Sequence, residues 1–128
     1  MTIDETRQVL ESYLGGHGSE VLAENAVFTD VSSGAEHKGR DAIMQMLRSL
    51  YSEAFDASAE ETSVVIGEGK AVVEFEFTGT HVGEFAGIDG TGTRVQVPFA
   101  VAYDFEADQI VGARIYFPTE RLLQQLRA

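Results

Sequence analysis

The 128-residue chain carries 21 acidic against nine basic side chains, a formal net charge of −12, and it has no cysteine. Such a surface repels a phosphate backbone, and the scattered Lys and Arg form no basic patch, so nucleic acid is excluded as a partner. Without cysteine there is no disulfide framework, thiolate nucleophile or cysteine metal site. A hydrophobic content of 44 % over this length suits one globular domain spanning residues 1–128, large enough for a real core. No apolar run approaches the ~20 residues that span a membrane. The N-terminal MTIDETRQVLESYL has early acids and no basic region before an apolar one, unlike a secretion signal. The expectation is a soluble, cytoplasmic protein.

The chain opens with a helix that Thr2 or Asp4 can cap, with Ile3, Val9, Leu10, Tyr13 and Leu14 as its apolar stripe and Gly15, Gly16 and Gly18 ending it. A helical turn over 19–23 leads to a strand over 26–31, the turn Ser32-Ser33-Gly34 and a short strand over 36–38. A second helix starts at Gly39-Arg40-Asp41, and Ile43, Met44, Met46, Leu47, Leu50, Tyr51 and Phe55 recur along it at helical spacing. The period then changes to two. Strands are predicted over 57–66 and 71–81 around the hairpin turn 67–70, then over 93–106 and 110–117 around the turn 107–109. The irregular stretch 83–93 reads as a flap. Pro118 stops the last strand, and Thr119 is placed to cap a closing helix holding Leu122, Leu123 and Leu126. Helices first and strands afterwards, without strict alternation, indicate an α+β fold with a curved antiparallel sheet packed against about three helices.

Alternation sorts the strand residues by face. Val73, Phe75 and Phe77 share one side, as do Val95, Val97, Phe99, Val101, Tyr103 and Phe105, and likewise Val111, Ala113, Ile115 and Phe117. Helices must cover this aromatic face. Its large groups either fill a core completely or wall an apolar pocket. The opposite face carries Glu74, Glu76 and Arg114 beside the small or flat Ala100, Ala102, Gly112 and Tyr116. It reads either as a solvated surface or as the contact of a two-fold homodimer, and the flatness favours the dimer.

Several segments resemble the SnoaL-like polyketide cyclases. They are Ala23 to Asp30, Gly39 to Ile43, His81 to Ile88, Thr91 to Pro98, and Arg114 to Phe117 with Leu122 to Leu126, in the family's order along the chain. The resemblance implies the wider nuclear-transport-factor-2-like fold, a cone-shaped sheet around a deep pocket, shared with the ketosteroid isomerases. It implies a small hydrophobic ligand and no cofactor. Asp30 matches the position of the isomerases' general-base aspartate. Their second aspartate falls at about Val101, and the acid that these cyclases usually carry near the end of the last strand falls at Pro118. The arginine, aspartate and final aspartate of the related epoxide hydrolases fall at Phe75, Phe77 and Ile115.

Asp30 is the first catalytic candidate: a carboxylate among Phe28, Phe75, Phe99 and Phe117 suits proton abstraction beside a carbonyl. The competing reading has Asp30 capping the Ser32-Ser33-Gly34 turn. Tyr103 is a candidate hydrogen-bond donor to an enolate oxygen, or packed core. His81, at the start of the flap, is a candidate acid or base, or a satisfied loop histidine. The ligand-contacting set is Phe28, Tyr51, Phe75, Phe77, Phe99, Val101, Ala113, Ile115 and Phe117. His17 and His37 read as solvent-exposed, and no histidine spacing suits zinc. The functional expectation is a cofactor-independent cyclase or isomerase acting on a carbonyl compound, with a non-catalytic ligand-binding domain as the alternative.

Overall fold

The computed structural model describes every residue from Met1 to Ala128. Helix α1, Ile3–Ser12, starts at a reciprocal cap in which the Thr2 hydroxyl accepts from the Glu5 amide at 3.1 Å and the Glu5 carboxylate accepts from the Thr2 amide at 2.9 Å. Thr6 is fully buried, donates to the Thr2 carbonyl at 2.8 Å, and accepts from the Gly69 amide at 2.9 Å. A helix hydroxyl thereby ties α1 to a hairpin more than sixty residues away. The helix runs into a π-helical turn, Tyr13–His17, closed by Gly16 at φ 101°, a backbone state that glycine alone adopts without strain.

Next come α2 (Gly18–Val21), β1 (Leu22–Asp30), β2 (Glu36–Lys38) and α3 (Arg40–Arg48), which passes into a second π-helical turn, Ser49–Ala54. The long strands are β3 (Phe55–Ile66), β4 (Lys70–His81), β5 (Arg94–Glu106) and β6 (Gln109–Tyr116), and α4 (Thr119–Arg127) closes the chain. The sheet order is β2-β1-β6-β5-β4-β3. Every neighbouring pair is antiparallel except β1 with β6, which is parallel. That pair joins the helical first half of the chain to the final strand of the meander. Register shifts between Glu61 and Ser63 on β3, and between Asp104 and Phe105 on β5, bend the sheet.

Three local expectations are corrected. The β5–β6 irregularity puts Ile110, fully buried, into the core where plain alternation puts Val111. Phe55 begins β3 and does not end the preceding helix, because the π-helical turn consumes the last helical residues. Pro118, not Thr119, occupies the cap position of α4, and no side chain caps that helix; the Thr119 hydroxyl lies 3.2 Å from the Ser32 hydroxyl instead.

The core divides into two clusters. One, under α1 and α3, includes Leu10, Leu22, Phe28, Ile43, Val73 and Tyr103; the other, under α4, includes Phe55, Phe77, Val95, Val97, Leu122 and Leu126. On the sheet side Phe99 packs against both, and the helix side is left open. Met44, Met46, Leu47, Leu50 and Tyr51 stay half-buried along the inner face of α3 and its π-helical turn, and Ile43 is the only fully buried residue of α3 itself. A filled core would have swallowed that stripe.

Candidate active-site cavity

The unfilled space is a cavity of about 930 Å³, with 18 hydrophobic residues among the 26 that line it. Phe75, Phe99, Val101, Tyr103, Ile115 and Phe117 form the sheet wall, α3 with its π-helical turn forms the opposite wall, and Glu84, Phe85 and Ala86 reach over from the flap. Of the residues expected to contact a ligand, Tyr51, Phe75, Phe99, Val101, Ile115 and Phe117 line this space. Phe28, Phe77 and Ala113 do not. They are buried at 2 % exposure or less behind the wall, where Phe28 packs on Tyr13 and Tyr103, and Phe77 on Tyr51, Phe55, Phe99 and Phe117. Alternation predicted their face and could not report their depth.

Asp30 sits at the rim. It continues the inward parity of Ala26 and Phe28 and pairs in register with Ile115 of the cavity wall. Its Oδ1 accepts from the Ser32 amide at 3.1 Å and the Ser32 hydroxyl at 2.8 Å, and its Oδ2 accepts from the Ser33 hydroxyl at 2.9 Å. Asp30 therefore caps the turn, as the competing reading has it, and also borders the cavity. An ionised carboxylate offers about four acceptor positions. Three are occupied, and the carboxyl is held in one orientation.

Tyr103, Tyr13 and Tyr51 all line the cavity. Tyr103 is 3 % exposed and lies edge-on to Tyr13, with ring centroids 5.6 Å apart. None of the three hydroxyls bonds to a protein group. Since His81 Nε2 is the only fully buried side-chain polar atom without a partner, these phenol oxygens open onto the cavity. Burial pushes the Tyr13 hydroxyl up to about 12 and raises Tyr51 and Tyr103 further, with the neighbouring phenols adding to the effect. All three are neutral donors at physiological pH. Tyr13 and Tyr51 both stand on the π-helical turns, whose wider winding re-aims side chains at the end of a helix.

His81 does not reach the cavity. It is fully buried beneath the flap, its ring 5.1 Å from that of Phe55. Its Nδ1 accepts from the Thr91 amide at 3.2 Å and stands 2.9 Å from the Thr91 hydroxyl, which donates onward to Thr93. Its Nε2 has no partner. His81 anchors the flap. The same base is pinned by the Val82 and Gly83 amides, which both donate to the Ala54 carbonyl at 3.0 Å, and by the Gly92 amide, which donates to the His81 carbonyl at 2.8 Å. A side chain on Gly83 would meet the Glu53 carbonyl at 2.1 Å, and one on Gly90 the Val82 carbonyl at 2.4 Å.

Glu84 and His37 line the cavity although the sequence reading did not select them. Glu84 follows a strand end where alternation has lapsed. His37, expected to be solvent-exposed, is half-buried on the edge strand β2, whose three residues are too few to show a period.

On the outer face of the sheet, Asp104 accepts from Arg114 Nη1 and Lys70 Nζ, each at 2.6 Å, and the Arg114 guanidinium leads in holding its carboxyl below the ordinary carboxylate value. A shallower groove of about 490 Å³ runs along this side past Glu74, Pro98, Ala100, Tyr116 and Arg121.

The family model described as SnoaL-like polyketide cyclase matches residues 15–126. The chain belongs to the SnoaL-like polyketide cyclase family. That SnoaL-like match runs from the middle of the first π-helical turn into α4, so it takes in every cavity wall except the Tyr13–Leu14 corner. Among solved structures, one described as a SnoaL-like polyketide cyclase from Jannaschia sp. CCS1 superposes with a TM-score of 0.86 at 17 % identity, covering 98 % of this chain and 93 % of that one. TsrD from Streptomyces laurentii gives 0.81 at 21 % identity, covering 98 % and 97 %. AclR from Streptomyces galilaeus, described as a hydroxylase, gives 0.77 at 19 % identity, covering 99 % and 84 %. At these identities the likeness is one of fold, the nuclear-transport-factor-2-like α+β architecture. No curated protein sequence matches the chain. No helix is long and apolar enough to cross a membrane.

Proposed function

We propose that residues 1–128 act as one SnoaL-like domain that catalyses a cofactor-independent proton transfer on a hydrophobic carbonyl compound, with Asp30 as general base. The observation that carries this is the position of Asp30: it is the one carboxylate that the sheet itself brings to the cavity, with one acceptor position left over from the turn. In this reading the carboxylate takes a proton from the carbon beside the carbonyl, and the C–H electron pair moves into an enolate. The Tyr103 hydroxyl donates a hydrogen bond to the enolate oxygen. The enolate carbon then attacks a second carbonyl, closing a ring, or is reprotonated elsewhere. Asp30 returns its proton to the new alkoxide or carbon.

Deuterium incorporation from solvent into β-tetralone, a fused bicyclic ketone with acidic C–H bonds, tests the base. A positioned general base contributes about 10²–10⁴-fold. Asp30→Asn is expected to remove an acceleration of that order while the circular dichroism stays native. An unchanged rate in the variant would remove Asp30 from the mechanism. A ligand-binding domain without chemistry is the second reading. It is favoured by the commitment of three of the four Asp30 acceptor positions to the turn.

Two further expectations go with the proposal. The flat outer face around Ala100, Ala102, Gly112 and the 48 %-exposed Tyr116 is the candidate two-fold homodimer contact, tested by sedimentation of Tyr116→Glu against the native chain. The absence of cysteine suits a cytoplasmic setting, which fractionation tests.

A further inference from the structure

The charged and aromatic groups around the cavity constrain what enters it. Asp30 and Glu84 are its carboxylates, His37 is its one basic side chain, and neither Lys nor Arg lines it. Seven aromatic rings do, three of them tyrosines whose hydroxyls have no protein partner. An anionic ligand is opposed by both carboxylates and by the −12 charge of the chain, and no cationic side chain of the wall offsets them. A neutral ligand draws on the apolar wall and the phenols, with no gain from charge. For an ammonium group every feature acts in the same direction: the ring faces attract a cation, the neutral phenol oxygens accept from N–H, and the carboxylates supply the compensating charge.

We infer that the cavity takes an apolar molecule bearing a protonated amine. This rests on the reading of the cavity as a ligand site and is independent of whether Asp30 acts as a base. Tyr103 is the group that fixes the polar end. Its side chain is the most buried of the three, and its register position on β5 is two strands across and one inward-facing step along from Asp30. With strands ~4.8 Å apart and inward residues ~6.7 Å apart, the two backbone positions are about 12 Å apart, and both side chains project into the cavity between them.

Three probes of one shape test this by titration calorimetry near pH 7: 2-naphthylmethylamine, 2-naphthylmethanol and 2-naphthoate, representing cation, neutral and anion. The amine is expected to bind at least tenfold more tightly than the alcohol, with the naphthoate undetected. Glu84→Gln and added salt should each erode the amine's advantage and leave the alcohol unchanged. Ala59→Trp, which plants an indole in the cavity, should abolish binding of both, with its thermal melt showing that it folds; Leu47→Trp serves if it does not. Equal binding of amine and alcohol, or competition by naphthoate, overturns the charge inference while leaving the ligand site intact. Amine binding that survives a folded, filled cavity is surface attraction and also overturns it. If no probe binds, the ligand-site reading falls with it.

Discussion

Replacing Ala59 by leucine separates an open cavity from a packed core. Ala59 lies on β3 opposite Phe77, half-buried, with its methyl on the cavity surface. Leucine adds three carbons, worth about 0.8 kcal/mol each when fully removed from water, or a ceiling near 2.4 kcal/mol. Here only the wall side finds neighbours, so roughly half is realised, and ordering a leucine side chain costs about 0.5–1 kcal/mol. The net expectation is about 0–1 kcal/mol of added stability. In a filled core the same three carbons would strain the packing by about 1–3 kcal/mol. The two cases differ in sign. Urea denaturation of the ligand-free protein measures the difference, and a melt supports it, since 1 kcal/mol is worth about 4 °C at this size. A loss of more than 1 kcal/mol in Ala59→Leu would show that the cavity is occupied by side chains and would refute the description of the site.

Tyr103→Phe removes a hydroxyl that bonds to nothing in the protein, so stability should change by less than about 0.5 kcal/mol, whereas a structural hydrogen bond would cost about 1 kcal/mol; urea midpoints distinguish these. Gly90→Ala drives a methyl against the Val82 carbonyl at 2.4 Å, so the flap base must shift, and proteolysis within 83–93 should quicken severalfold while the sheet stays protected from hydrogen exchange. The Asp104 carboxyl is lowered below its ordinary 3.8, first by Arg114 and then by Lys70. Its contribution is therefore fully present above about pH 4 and lost as pH falls through the lowered folded value. Asp104→Asn should weaken the protein at neutral pH, with the gap to the native chain narrowing in urea titrations as the pH falls below the ordinary 3.8.

Sheet and wall were legible in the sequence because a period of two reports the face of a residue directly. Phe75, Phe99, Val101, Ile115 and Phe117 reached the cavity on that basis. The same period carries no depth, which is why Phe28, Phe77 and Ala113 ended behind the wall and His81 under the flap. Nor does it name neighbours: nothing local to Leu22–Asp30 requires a parallel partner eighty residues on. The cavity was visible only as a surplus. The stripe on α3 holds more apolar residues than its single buried Ile43 uses, and the decision between filled and open rests on the spacing of the two clusters, a property of the whole fold.

The parallel placement of β1 against β6 also sets an order of events during synthesis. β1 is made within the first thirty residues, yet its parallel neighbour begins only at Gln109. At ~5–20 residues per second the ribosome takes several seconds to cover that interval. Throughout it β1 and α3 lack the strand that joins them to the long strands, while the β3–β4–β5 meander can already pair with itself. The nascent chain thus matures from its middle outward, and the helical half is left as client surface for chaperones until the final strand emerges. Stalled chains ending before residue 109 should bind such holdases, and chains extended past α4 should release them.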